Sequence, residues 1–393
     1  MNTTDSAFDQ YQRTGLVIGV IAAAAGIASI FLSGPAQFFQ AYLFAYLFWL
    51  ALSLGSLAVA MLHYLTGGGW GATVRRTLQA ASRTIWLMAI LFIPVIAGMR
   101  FLYPWMDPGV VAADPTLQHK SQYLNFTFFL LRAVIYFVIW FLLDRRVTHM
   151  AQQEDYNVNP DQRRYLQRAS AIGLLLYTLT MTFAAVDCIM SLQPTWYSTA
   201  YGLLIISNQA LLAFALAIAL LPSFAAGRPL SEFVNRDLYR DLGALLLTAA
   251  MFWAYVAFFQ YLIIWAGNIP KEAVWYVNRF SGGWYWVAIL VLVLEFVLPF
   301  AVLISLRAKR NARLLSVLSV GILVSGLVNY YWEVVPAFHP ARFTIHWLDI
   351  VLPIALGGLW VAAFAWSLKR TPVLIFNPPA EQPALSQEKG PTV

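Results

Sequence analysis

The sequence predicts an all-α polytopic membrane protein with ten transmembrane helices. Of its 393 residues, 60% are hydrophobic and 11% are charged, whereas soluble domains contain about 25% charged residues. Ten apolar runs are each long enough to cross a hydrocarbon core about 30 Å thick, which requires roughly 20 helical residues. The loops between these runs are alternately rich and poor in basic residues, as expected of a chain that crosses a membrane repeatedly.

The predicted spans follow directly from the apolar runs. They lie at about residues 14–32, 38–62, 83–102, 125–143, 168–191, 199–221, 243–266, 284–306, 313–331 and 347–367. Nineteen Lys and Arg residues fall on one side of these spans and five on the other. Because cytoplasmic loops are enriched in basic residues, we expect both termini to lie in the cytoplasm. The chain is then a multi-pass protein of the cell membrane, that is, the inner (cytoplasmic) membrane.

Three regions are expected along the chain. They are a cytoplasmic N-terminus over 1–13, a transmembrane domain over 14–367 and a Pro-rich cytoplasmic tail over 368–393. Spans two to five (about 38–191) and six to nine (about 199–331) form two candidate bundles. Since spans four apart run in the same direction, the two bundles would be a parallel repeat.

The first span resembles a signal peptide only in length. Asp5 and Asp9 outnumber Arg13 in its flank, whereas a signal peptide begins with a basic segment. We therefore predict a transmembrane helix here.

The chain is poor in residues that hold redox cofactors. Its single cysteine, Cys188, excludes an internal disulfide, a four-cysteine iron–sulfur site, a C-x-x-C-H haem attachment and a cysteine-based zinc site. A b-type haem usually needs two facing histidines inside the bundle, and only His63 lies within a predicted helix, near its end. We expect no cofactor or metal on this chain.

The sequence also assigns no catalytic residue. It has no phosphate-binding loop and no HExxH, GxSxG or paired-carboxylate hydrolase pattern. The net charge of +7 comes from the loops that set topology, so it does not indicate a nucleic-acid partner. We expect the chain to be embedded in a lipid membrane.

The second span carries a regular seam of polar and small residues. Its members follow steps of four and three, a period of 3.5 that places them on one helix face: Tyr42, Tyr46, Trp49, Ser53, Ser56, Ala60 and His63. Close helix packing would explain the seam. The alternative is a chain of hydroxyls that leads to the imidazole of His63, a group suited to proton uptake near neutral pH.

Three charged residues lie at least four residues inside predicted spans, where an ionised side chain costs at least ~3 kcal/mol. Glu295 is eleven residues into its span, about 16 Å along the helix axis. Its carboxyl either bonds a facing helix or relays protons. Arg132 and Asp187 lie near the outer ends of consecutive spans. They could form a structural ion pair or take part in function.

A second set of polar residues gathers around the outer ends of the last two spans and predicts a polar mouth facing outside. It consists of Glu333, His339, Arg342, His346 and Asp349.

Four stretches together resemble a known family. They are Tyr42–Thr66 (YLFAYLFWLALSLGSLAVAMLHYLT) with the glycines that follow, Asp187–Ser198 (DCIMSLQPTWYS), Gln260–Trp284, and Val335–Trp360 with its PAFHPARFTIHWLDI and PIALGGLW segments. They resemble the ActF membrane subunits of alternative complex III, a bacterial quinol:cytochrome c (or other high-potential acceptor) oxidoreductase. ActF belongs to the wider NrfD/PsrC-like family, and the paralogous ActC subunits share part of the pattern.

The resemblance implies a fold and a setting. The fold is two four-helix bundles plus two flanking helices. The chain would carry no cofactor, with haem c and iron–sulfur clusters on partner subunits, namely multihaem cytochromes c and an iron–sulfur protein, beside an ActC paralogue. A proton-translocating role and the binding of menaquinone or ubiquinone would follow. One departure argues against quinol oxidation by this subunit itself: Cys188, Gln193 and Thr195 replace the family's aromatic residue, acid and histidine after Asp187.

Two other functions fit the same residues. Pro94 and Pro299 interrupt two spans, and a secondary transporter with a four-helix repeat often has such broken helices. A purely structural anchor subunit is the other alternative. Under the proton-relay hypothesis, the pathway residues are Ser53, Ser56, His63, Arg132, Asp187, Glu295, Glu333, His346 and Asp349.

Overall fold

The computed structural model describes residues 3–156, 160–225 and 234–370. Within these ranges the chain is helical without β-strands, and ten helices are long and apolar enough to cross a membrane. The predicted fold class, an all-α polytopic membrane protein, is confirmed. The Pro-rich tail from Thr371 lies outside the described residues, and the predicted division into three regions stays a prediction.

The ten spans are referred to below by their order along the chain. They are Phe8–Ser33, Pro35–Thr66, Thr73–Ala97, Phe126–Gln153, Pro160–Leu192, Tyr201–Ser223, Arg236–Gly267, Trp284–Leu303, Ala312–Ala337 and Leu348–Arg370. Most begin or end several residues beyond the apolar run, because an amphipathic turn extends each helix without adding to hydropathy.

The third span differs most from its predicted range of 83–102. Its helical segment begins with the helix Gly69–Ser82 and continues as the short helices Ile85–Leu91, Ile93–Ala97 and Met99–Leu102. The early part was missed because its buried side chains include polar ones, such as Gln79 and Ser82, that pack inside the protein instead of facing lipid.

The second span is the centre of the molecule. Over its most apolar stretch 94% of the residues are buried, and it packs against the third, fifth, sixth, ninth and tenth spans. Gly55 permits the closest approach, since a Cβ there would stand 2.1 Å from the backbone oxygen of Gln209 on the sixth span. Small residues bring membrane helices together in this way.

The ten spans form two groups of four helices and one flanking pair. In each of the groups formed by the second to fifth and the sixth to ninth spans, consecutive helices are in contact and the last helix contacts the first, while the first and tenth spans pair along one side. Gly19 and Gly358 face each other in that pair, with no room for a side chain on either. This arrangement fits two four-helix groups plus two flanking helices.

The two groups end in a similar way. The helix of the fifth span stops one residue after Asp187 and is followed by the 3₁₀ turn Met190–Leu192. The helix of the ninth span stops one residue after Glu333 and is followed by the 3₁₀ turn Val335–Ala337. In each case a proline follows the acid by seven positions, a correspondence that supports the predicted parallel repeat.

The eighth span is not a regular α-helix. It consists of the helix Trp284–Leu292, a π-helical turn Val293–Val297 and the helix Leu298–Leu303. Pro299 has no backbone N–H and cannot bond the carbonyl four residues before it, that of Glu295. The proline therefore accounts for the irregular turn that carries Glu295.

Candidate functional site

Asp187 and Arg132 form a buried, two-point ion pair. Arg132 Nε donates to Asp187 Oδ2 and Nη2 donates to Oδ1, both at 2.8 Å. The Tyr136 hydroxyl donates a third bond to Asp187 Oδ2, also at 2.8 Å. The guanidinium also lies 3.8 Å from the centre of the Tyr123 ring. The predicted ion pair is confirmed, and the aspartate has the partners that an ionised carboxylate requires.

A small enclosed cavity of about 20 Å³ lies beside this pair, large enough for about one water molecule. Asp187 and Tyr136 line it from the first group of helices, and Gln209 and Tyr330 line it from the second. The cavity thus crosses from one bundle to the other.

Glu295 lies near the middle of the eighth span and has no exposed surface. Its Oε2 accepts a hydrogen bond from Asn208 Nδ2 at 2.8 Å and a long one from Asn329 Nδ2 at 3.5 Å. Its Oε1 has no hydrogen-bond partner in the described part of the chain. No ion pair among the described residues includes it, so this site favours the neutral, protonated acid over an isolated charge.

Two pairs of adjacent residues connect the surroundings of Glu295 and Asp187. On the sixth span, Asn208 reaches Glu295 while Gln209 reaches the small cavity and accepts a hydrogen bond from the Tyr177 hydroxyl. On the ninth span, Asn329 reaches Glu295 while Tyr330 lines the cavity. The polar residues around the two carboxyls therefore form one region that spans both bundles.

Glu333 is the centre of a second polar cluster, near the end of the ninth span. The Tyr201 hydroxyl donates to Glu333 Oε2 at 2.7 Å. The guanidinium of Arg279 donates to the backbone oxygen of Glu333 and, at 3.0 Å, to Gln193 Oε1. It also lies 3.7 Å from the ring centre of Trp275.

Arg279 belongs to the helix Pro270–Phe280, which lies between the seventh and eighth spans and buries Trp275 and Arg279 against the protein. Its side chain is almost completely buried. Burial lowers the pKa of the guanidinium to about 10, although the nearby Glu333 carboxylate opposes that shift. The group is therefore still a cation at neutral pH, and it partly offsets the charge of Glu333.

An aromatic pocket of about 400 Å³ opens beside this cluster. Trp275, Tyr276, Phe280 and Trp332 are among the rings that line it, with Glu333 as a charged group in its wall. Its size and its mainly apolar lining with few polar groups are typical of sites for small organic molecules.

Several residues of the seam on the second span form hydrogen bonds with neighbouring helices. Tyr42 and Tyr46 donate to the backbone oxygens of Leu91 and Met88 on the third span, at 2.7 and 3.1 Å. Ser53 shares a 2.6 Å bond with Thr84 and accepts one from Trp360 on the tenth span. These bonds fit the packing explanation.

Two polar atoms in the part of the seam nearest His63 have no hydrogen-bond partner among the described residues. Ser56 Oγ and His63 Nδ1 are buried without a hydrogen-bond partner in the described ranges. The imidazole of His63 packs against Trp70, with ring centres 4.9 Å apart. A role of the seam in proton uptake stays a prediction.

The residues of the predicted polar mouth do not form one cluster in the structure. Glu333 points inward to Tyr201, as described above. The backbone N–H of His346 donates to Asp349 Oδ2 at 2.8 Å where the tenth span begins, and Arg342 is exposed. His339 lies apart from both and contacts Gln40 at 3.1 Å.

Sequence reasoning missed the amides that bind Glu295 and the buried cation beside Glu333. Asn208, Gln209 and Asn329 are uncharged residues in the middle of apolar spans, where a polar side chain needs a partner; that was the available signal. Arg279 was assigned to a loop, and only the strong amphipathic pattern of Pro270–Phe280 could have indicated burial.

The comparisons with known proteins add no relative. No protein-family model matches this sequence, and none of the curated proteins does.

Proposed function

We propose that this chain is the cofactor-free membrane subunit of a quinol:electron-acceptor oxidoreductase of the alternative complex III type, in which it moves protons. The observation that carries the proposal is the carboxyl of Glu295. It lies at mid-membrane in a π-helical turn, with amides on one oxygen and no partner on the other. π-Helical turns occur frequently at functional sites.

In this proposal Asn208 and Asn329 hold Glu295 Oε2, while Oε1 accepts and releases the proton. The seam that ends at His63 supplies protons from the end of the molecule that we predict to be cytoplasmic. The small cavity beside Asp187 and the cluster around Glu333 form the exit half. A neutral carboxyl between the entry and exit halves of the pathway limits the leak of protons across the membrane. A proton passes from one half to the other only when the carboxyl releases one proton and takes up another.

The aromatic pocket gives the proposal its quinone site. A quinone head is a flat ring with two oxygens, so it can pack against the aromatic wall that Trp275, Tyr276 and Trp332 form. Glu333 in the pocket wall can accept a hydrogen bond from a quinol hydroxyl. We assign binding to this pocket and leave quinol oxidation to the ActC paralogue, with electrons passing to iron–sulfur and haem c groups on partner subunits.

The test is Glu295→Gln in the assembled complex, reconstituted in sealed vesicles. The amide keeps the shape and can bond Asn208, but it cannot carry a proton. We expect acceptor reduction by quinol to continue while the number of protons moved per electron falls. The control is Glu272→Gln, the same change at a partly exposed position in the helix Pro270–Phe280, which should leave the ratio unchanged.

An unchanged ratio in the Glu295→Gln complex would mean that the carboxyl is structural, which is the anchor alternative. Recovery of the chain without cytochrome and iron–sulfur partners, together with substrate uptake by the chain alone, would favour the transporter alternative.

A further inference from the structure

A lateral groove of about 760 Å³ lies between the first, third, fourth and tenth spans. The fourth span contributes Phe141, Asp144, Arg145, Thr148 and His149 to it. Relative to Phe141 the other four lie three, four, seven and eight positions further on, so all five share one helix face. The groove is therefore a shared feature of four helices and not a gap at a single side chain.

The apolar part of the groove comes from all four spans. Its walls include Leu16, Trp86, Phe141 and Trp366. Leu16, Trp86 and Phe141 are each between 40% and 49% exposed, so hydrocarbon can reach them.

The polar part lies towards the end of the molecule where the first span begins and the tenth ends. Arg83, Arg145 and His149 line it. Asp144 is buried and accepts a hydrogen bond from Ser82, so its charge is directed into the protein. Arg145 is exposed, and no ion pair among the described residues includes it. The groove thus offers a cation next to an apolar channel.

We propose that this groove binds one anionic phospholipid. The acyl chains lie along Leu16, Trp86 and Phe141, and the phosphate contacts Arg145 and His149. An amphiphile with a negative head matches the order of apolar and basic surface along the groove, and basic pockets between transmembrane helices bind anionic lipid heads. A zwitterionic lipid would bring a compensating cation to the arginine and gain less. The proposal goes beyond the proposed function, because the groove includes neither Glu295 nor the aromatic pocket.

The experiment uses the full chain, purified in mild detergent and stripped of lipid. Native mass spectrometry follows the binding of phosphatidylglycerol, cardiolipin and phosphatidylcholine. We expect the anionic lipids to bind more tightly than phosphatidylcholine. Arg145→Gln should weaken their binding about fivefold, which corresponds to about 1 kcal/mol per basic residue near a membrane surface.

Arg146→Gln is the matched control, since Arg146 is the next residue, is also exposed and does not line the groove. It should bind lipid like the unchanged protein. Ala363→Trp fills the apolar part without altering any charge, so it should also reduce binding and gives a second test if Arg145→Gln fails to fold.

Three outcomes would overturn the proposal. They are equal binding of anionic lipids and phosphatidylcholine, equal effects of Arg145→Gln and Arg146→Gln, and displacement of bound lipid by millimolar inorganic phosphate. The last result would identify a simple anion site instead of a lipid site.

Discussion

Asp187 and Glu295 both carry buried carboxyl groups, but the partners of these two groups differ in charge. Asp187 has an arginine on both oxygens and a tyrosine hydroxyl on one, so its charge is compensated where it lies. Glu295 has only amide donors on one oxygen. Protonation of Asp187 would leave the Arg132 cation buried without a counter-charge, so Asp187 is suited to a fixed structural role. Glu295 has no ionic partner to lose among the described residues, so its carboxyl is suited to proton exchange.

At the same scale, the aromatic pocket predicts a change that blocks quinone binding. Ala288 lines this pocket, so Ala288→Trp should fill part of its volume and weaken binding of a short-chain quinone at least tenfold. Titration calorimetry on the purified chain measures this, with the quinone content after purification as a second readout. Ala24→Trp on the exposed face of the first span is the control. Unchanged affinity in Ala288→Trp would place any quinone elsewhere.

With the exception of Arg279, the charged site residues were predictable from sequence, and their uncharged partners were not. Arg132 and Asp187 were recognised because a charge inside an apolar run is conspicuous and the two lie near the same ends of consecutive spans. The depth of Glu295 followed from the helix rise. Asn208 and Asn329 contact it from the sixth and ninth spans. Which residues of a neighbouring span face Glu295 depends on how that helix is rotated about its axis. The sequence pattern does not fix this rotation when a span is apolar on all sides.

At the scale of the element, Pro299 sets the geometry of the eighth span. Pro299→Ala would supply the N–H that bonds the carbonyl of Glu295, convert the π turn to an α-helix and rotate the carboxyl relative to Asn208. We expect an assembled complex with a lower proton-to-electron ratio, as for Glu295→Gln. Pro222→Ala, at a proline near the end of the sixth span, should leave the ratio unchanged. A normal ratio in the Pro299→Ala complex would show that the turn is not needed.

The elements themselves were predicted to different extents. All ten spans followed from hydropathy because the bilayer requires long apolar helices. The π turn and the subdivided third span did not, since both depend on backbone hydrogen bonds. The inward position of Arg279 was missed for another reason: the helix Pro270–Phe280 is too short to cross a membrane and was counted as loop.

At the scale of the whole molecule, the direction of insertion decides how the polar regions are used. Ten spans place both termini at one end, and the charge asymmetry predicts that this end is cytoplasmic. Both the proposed direction of proton movement and the leaflet that supplies the anionic lipid depend on this. The prediction therefore needs a test that does not depend on turnover.

The single buried cysteine makes such a test simple, because Cys188→Ala leaves a chain without thiols. Val110→Cys then places one thiol in the segment between the third and fourth spans, and Ser305→Cys places one between the eighth and ninth, both at exposed positions. An impermeant maleimide on intact cells should label Val110→Cys, and Ser305→Cys only after permeabilisation. The reverse pattern would invert the orientation and the proton path. Labelling of both from outside would contradict the span count itself, because an odd number of spans, five, separates the two positions.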